Sequence, residues 1–187
     1  MQYDTHIFLG PSLPVETAKT IFPHAHYHHP IACGDLCRTM RLNPKRIVII
    51  DGYFEHTPAV WHKEILYALE SGIEVWGAAS MGALRAAELH YYGMKGMGNI
   101  FEKFKSGELN DDDEVAVLHL PEYDNFSPIN DAMVNIRATL ELGLKQNIIS
   151  QATHDKLFLK SKSLFYPHRS LKKVIQELQK EAPDPTE

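Results

Sequence analysis

Between Ile73 and His90 a short apolar run leads into Gly77-Ala78-Ala79-Ser80-Met81-Gly82 and then an alanine-rich segment. That order predicts a strand, a tight turn of small residues and a helix, with Ser80 at the helix N-terminus. Backbone N–H groups are unpaired there and can hold an anion, or the oxyanion of an attacked acyl group. The serine hydroxyl would then be the nucleophile, as in the Gly-x-Ser-x-Gly elbow. The spacing Gly77-x-x-Ser80-x-Gly82 departs from that elbow by one residue, and a serine N-cap in a sharp strand–helix connection accounts for it as well.

A nucleophilic serine needs a base and oxyanion donors. His62, in Val60-Trp61-His62-Lys63-Glu64, is the nearest base in sequence and lies off the apolar stripe of its segment; an exposed helical histidine is the plain alternative. Asp51 could orient a histidine or bind a cation, or simply make a turn with Gly52. Arg85 could anchor a carboxylate, or pair with Glu88 three residues on. Cys33, in Ala32-Cys33-Gly34-Asp35, is a rival nucleophile, because a helix starting just after it would depress its pKa; a small buried residue is the alternative. His24, His26 and His28 alternate and would share one strand face. They lack a carboxylate or cysteine at a recognised metal-ligand spacing, so they read as a polar surface strand. Asp111-Asp112-Asp113-Glu114 reads as a solvated acidic run, with magnesium or a basic partner as the alternative.

The elements that must position these groups alternate. His6 to Leu9 reads as a strand stopped by Gly10-Pro11-Ser12, followed by a short helix over 14–21 and an extended segment from His24 to His29. A helix over 34–42 precedes Arg46 to Ile50, whose unbroken apolar character suits a strand covered on both faces. Trp61, Ile65 and Leu69 stripe an amphipathic helix over 59–70, and the strand at 73–76 and helix at 80–91 complete the pattern. Gly93, Gly96 and Gly98 mark a loop, Ile100 to Lys105 a helix, and 129–145, 151–165 and 170–181 further helices, with Ser127, Ser150 and Ser170 as candidate caps. The expected fold is α/β, an open, mostly parallel sheet with flanking helices. The core spans 1–125 and a C-terminal helical extension 126–187, with Ala182 to Glu187 frayed. Ligands of such sheets sit at the carboxyl ends of the strands, so Ser12, Asp51 and Ser80 would face one crevice.

With 187 residues the chain suits one domain plus a helical appendage. A net charge of −5 argues against a nucleic-acid surface. There is no long apolar run for a membrane span and no signal-peptide pattern, so a cytoplasmic protein is expected. Its two cysteines, Cys33 and Cys37, make a poor zinc site.

The sequence resembles the TfuA-like family, the partners of YcaO enzymes in making backbone thioamides. The matching stretches are Ile7 to Leu13, Ala32 to Leu36, Ile49 to Phe54, Val60 to Leu66, Gly77 to Leu89, Gly93-Met94 and Asp111 to Val117. The resemblance covers residues 5–120, and the helical tail carries little of it. It implies a YcaO-type enzyme that activates a peptide amide with ATP, no cofactor on this chain, a thiocarboxylated ubiquitin-like sulfur carrier such as ThiS, and a precursor peptide or protein substrate. The implied role is release of sulfide from the carrier. Applied to that reaction, Ser80 would attack with His62, Asp51 and Arg85 assisting, and Gly10, Ser12, Cys33, Asp35, Glu64 and Gly82 would contact substrate. Two other classes stay open: an adaptor without catalysis that docks peptide or carrier, and a small serine hydrolase unrelated to sulfur.

Overall fold

The computed structural model describes residues 3–54 and 57–181; the expected frayed end, 182–187, lies outside them. Five parallel strands form one sheet in the order β2-β1-β3-β4-β5. They are β1 (Thr5–Phe8), β2 (His26–His28), β3 (Arg46–Ile49), β4 (Glu74–Ala78) and β5 (Lys95–Met97). The intervening helices are α1 (Val15–Ile21), α2 (Asp35–Met40), α3 (His62–Glu70) and α4 (Met81–Leu89), and α5 (Asn99–Lys105) follows β5. The fold is therefore an open, doubly wound α/β sheet.

Alternation along the strands builds the two layers. Phe8, Ile47, Ile49 and Val75 pack with Leu36 of α2, Ile65 and Ala68 of α3, and Ala83 and Ala86 of α4. Ile7, Leu9, Val48 and Ile50 turn the other way, onto Ala18 of α1. A side-chain period of two forces this split. Chain order reverses between β1 and β3, which opens the crevice where ligands of such sheets bind.

One element departs from the expected pattern. The segment around Gly93 to Gly98, expected as a loop, carries β5, pairing Trp76 with Lys95 and Ala78 with Met97. Glycine is unfavourable in strands, but the main-chain ladder decides here. Gly96 also has to be small, because a side chain at this position would strike the Phe101 ring.

The closest backbone approach lies under the start of α4. A Cβ on Gly82 would run into the Ile49 carbonyl, and one on Gly77 into the carbonyl of Gly82. The Gly82 N–H donates to Ile50 O at 3.1 Å. The first turn of α4 therefore lies directly on β3 and β4.

The C-terminal helices α6 (Met133–Lys145), α7 (Gln151–Ser163) and α8 (Leu171–Glu181) share a small core of Met133, Ile136, Leu140, Leu157 and Val174. Ser150 caps α7 through Thr153 N, as its position suggested, whereas the Ser127 hydroxyl donates to Asp124 O. The acidic run, expected to be solvated, instead clasps this tail. Arg137 meets Glu114 with both prongs at 2.8 Å, and Glu114 is 2% exposed. The fully buried Arg169 donates to Asp113 Oδ2 at 2.7 Å and to the Ser161 and Leu164 carbonyls. The oxygens of Asp111, Asp113 and Glu114 converge as for a cation, but Lys162 Nζ stands among them at 3.0, 2.6 and 2.9 Å. An ammonium fills the place considered for magnesium. Those carboxylates push the Lys162 amine up to about 12, against the opposing effect of burial.

Two predictions follow from these contacts. Gly82→Ala is expected to cost about 3 kcal/mol in urea unfolding, because the atoms in the way are backbone and cannot turn aside. Burial would raise the Glu114 carboxyl above its ordinary 4.5, but the bonds from Arg137 and Lys162 outweigh it and hold it below. A depressed carboxyl stabilises fully above its unfolded value, and that stability is lost as pH falls through the folded one. Glu114→Gln is therefore expected to have a lower thermal midpoint at pH 7 and a smaller further drop between pH 5 and pH 3, on the order of the carboxylate range itself.

Candidate active site

Asp51 follows β3 at the point where strand order reverses. Its side chain is fully buried and accepts from Gly10 N at 2.8 Å, Ser12 N at 3.1 Å and Ser12 Oγ at 2.6 Å. Burial pushes this carboxyl up, and those bonds together with the nearby His119 pull the other way without cancelling it. Asp51 thus locks the turn after β1 against the end of β3. Gly10 is small because Pro30 sits against it. Tyr53, His119 and Phe126 form a row of rings nearby, spaced 5.1 and 5.4 Å. Ser12 and Asp51 do meet, and Ser12 is exposed.

A second constellation joins α3 to α4. His62 Nε2 lies 2.8 Å from Glu88 Oε2, and Arg85 Nη1 donates to the same oxygen at 2.7 Å. Arg85 Nε donates to the Val60 carbonyl at 3.2 Å, which ties the guanidinium to the chain entering α3. Arg85 and Glu88 line a cleft of about 430 Å³ together with Phe54, Met81, Leu84 and Asp112. Arg85 also faces a groove of about 460 Å³ containing Trp61 and His62. The side chains of Arg85, Glu88 and His62 are 13%, 36% and 47% exposed, so the array grades from protein to solvent.

Ser80 stands at the start of α4 as expected, without a side-chain capping bond. Its hydroxyl donates to the Val115 carbonyl at 3.2 Å, and the residue is 9% exposed. The left-handed residue of the turn is Ala79, with φ +55°, so the elbow's strained position falls one residue before the serine. The Gly82 N–H is used by Ile50 O and is not turned outward as an oxyanion donor. Ser80, His62 and Asp51 therefore each take a different partner: Val115, Glu88 and Ser12.

The remaining predicted contacts have structural partners. Glu64 accepts from Gly34 N at 2.8 Å and Trp61 N at 3.3 Å, tying α2 to the start of α3. Asp35 accepts from Ala32 N at 2.8 Å and from Arg38. Loss of water and the Glu64 carboxylate push the Cys33 thiol up, opposite to the expected effect of the following helix. The partnership of Glu88 with His62 had no local signal. The two residues sit on separate helices, 26 positions apart, and only Glu88's spacing to Arg85 was visible in sequence. No helix among the described residues is long and apolar enough to cross a membrane.

A doubly wound sheet with an Arg–Glu–His array beside its carboxyl edge is the class of protein that these features define. Residues 51–170 match the family model described as TfuA-like protein, well over half of the chain, and the chain belongs to the TfuA-like family, whose members are partners of YcaO enzymes. The match runs through the clasp and the first two tail helices to Ser170, further than the expected limit near residue 120. The motifs at Ile7 to Leu13 and Ala32 to Leu36 lie before it. No curated protein matches the chain.

Ser80→Ala is expected to leave the fold intact and to lower stability by about 1 kcal/mol in urea unfolding, the usual worth of one such hydrogen bond.

Proposed function

We propose that this protein works beside a YcaO enzyme in backbone thioamide formation, releasing sulfide from a thiocarboxylated, ubiquitin-like sulfur carrier of the ThiS type. ATP is consumed on the YcaO partner, which holds the precursor peptide or protein. The observation that supports the reading is the Arg85–Glu88–His62 array, with Arg85 and Glu88 on the wall of the cleft and Arg85 and His62 on the adjoining groove.

The chemistry follows from the donors and acceptors. A thiocarboxylate is an anion, and Arg85 has N–H groups beyond those given to Val60 and Glu88. Glu88 accepts from His62 Nε2–H, a tautomer assigned from the bond, which leaves Nδ1 as the basic nitrogen. His62 Nδ1 removes a proton from water as its oxygen bonds to the thiocarboxylate carbon. The C–S bond then breaks, sulfur leaves with the electron pair, and the proton on His62 passes to it. The new carboxyl group gives up its own proton to the hydrosulfide, so thiocarboxylate and water become carboxylate and hydrogen sulfide, with no redox change. Water takes the nucleophile's place in this scheme because the Ser80 hydroxyl points to Val115.

A second reading, the docking adaptor without catalysis, is favoured by one feature. Trp61 is 60% exposed in the groove beside Arg85, and Tyr91 and Tyr92 are exposed at the end of α4. Amphipathic rings of this kind are common contact residues.

The deciding measurement is the intact mass of a thiocarboxylated ThiS-like carrier after incubation with the protein, with sulfide followed in parallel. Conversion to the carboxylate is expected, slowed about 100-fold or more in His62→Gln, the usual range for a lost general base, and little changed in Ser80→Ala. Loss in Ser80→Ala alone would make the serine the nucleophile. No conversion, even with the cognate YcaO enzyme and ATP present, would leave the adaptor.

A further inference from the structure

The sheet's outer edge carries a histidine cluster that the sulfide chemistry does not use. Strands β1 and β2 run parallel with His6 opposite His26 and Phe8 opposite His28. Side chains at opposed and alternate positions share a face, so His6, His26 and His28 emerge together. His6 Nδ1 lies 2.9 Å from His28 Nε2. The ring centroids are 5.3 Å apart for His6 and His26, 5.1 Å for His6 and His28, and 4.5 Å for His26 and His28.

We infer that His6, His26 and His28 form a binding site for one divalent transition-metal ion of the zinc type, with water completing the coordination. Imidazole nitrogens are ligands suited to such ions, and three of them with an open fourth position make a familiar zinc set. His6 and His28 already bring two nitrogens to the separation of neighbouring ligands. His26 is exposed at the edge, and on this proposal its ring must turn to bring the third nitrogen to the ion, which also leaves a way in.

The surroundings suit this role. A neutral imidazole keeps a lone pair on one ring nitrogen, which is what a metal ion takes. Phe8 stacks on His28 at 4.7 Å, and the Tyr3 ring lies 5.9 Å from His26, giving the cluster apolar walls. The nearby Asp35 is engaged by Ala32 N and Arg38 and does not compete as a ligand. The sequence reading stopped at a polar strand because His6 is 20 positions from His26 and only strand pairing unites them.

The test uses the untagged full-length protein after dialysis against chelator. Co2+ is titrated while its visible absorption is followed, and Zn2+ is titrated in competition. One Co2+ per chain, displaced by Zn2+, is expected, with His28→Gln and His26→Gln weakening the affinity at least about tenfold. His24→Gln, on the same exposed segment, should bind as wild type does. Far-UV circular dichroism checks each fold. If His28→Gln fails to fold, the exposed His26 decides the matter alone. Absence of Co2+ binding by the folded wild type, or His26→Gln binding like wild type, would overturn the site.

Discussion

The first turn of α4 rests on bare backbone, and most of the carboxyl edge is built from that contact. Gly77 and Gly82 let helix and strand approach without any side chain between them, and the Gly82 N–H is spent on Ile50 O. The contact fixes the height and rotation of α4 over the sheet. Arg85 and Glu88 follow about one and two turns later on the same helix, so their reach toward α3 is set by where Gly82 sits. Ala79 accepts a left-handed conformation to make the turn, a cost of about 1 kcal/mol that the packing beneath it offsets. The same tight turn aims the Ser80 hydroxyl at the Val115 carbonyl.

Two carboxylates then organise the rest. Asp51 is buried and gives its lone pairs to the turn after β1, which closes the reversal point between the two halves of the sheet. Glu114 and its neighbours gather Arg137, Lys162 and Arg169 from the tail. Buried charges of this kind add little net stability compared with apolar packing, but removing one partner is costly. They therefore specify where the tail docks, and they place Phe165 and Tyr166 on the wall of the cleft that Arg85 enters. The family match includes this clasp, so the tail is part of the site's architecture as well as an appendage to it.

Function on this reading comes from how a strong cation is shared. Arg85 is partly buried and holds Glu88, and Glu88 holds His62 closer to solvent. A carboxylate held this way fixes the imidazole's orientation and tautomer, and Arg85 lines both the cleft and the groove beside His62. The histidine cluster lies across the sheet, on the β1–β2 edge, and shares none of these residues.

The sequence alone determined the strand and helix order, the parallel sheet, and the positions of Asp51 and Ser80 at strand ends, because apolar runs, small-residue turns and caps are local signals. It also carried the family, since the motifs lie in order along the chain. Boundaries moved by a few residues, and β5 was hidden because its glycines carry no strand preference. The partners of charged and polar side chains were decided only by the tertiary structure. His62 with Glu88, Asp51 with Ser12, Glu114 with Arg137 and His6 with His28 are separated by 26, 39, 23 and 22 positions. A side chain's local pattern states what it can bond to, but which group arrives within bonding distance depends on how the sheet orders its strands and how closely the helices lie on it.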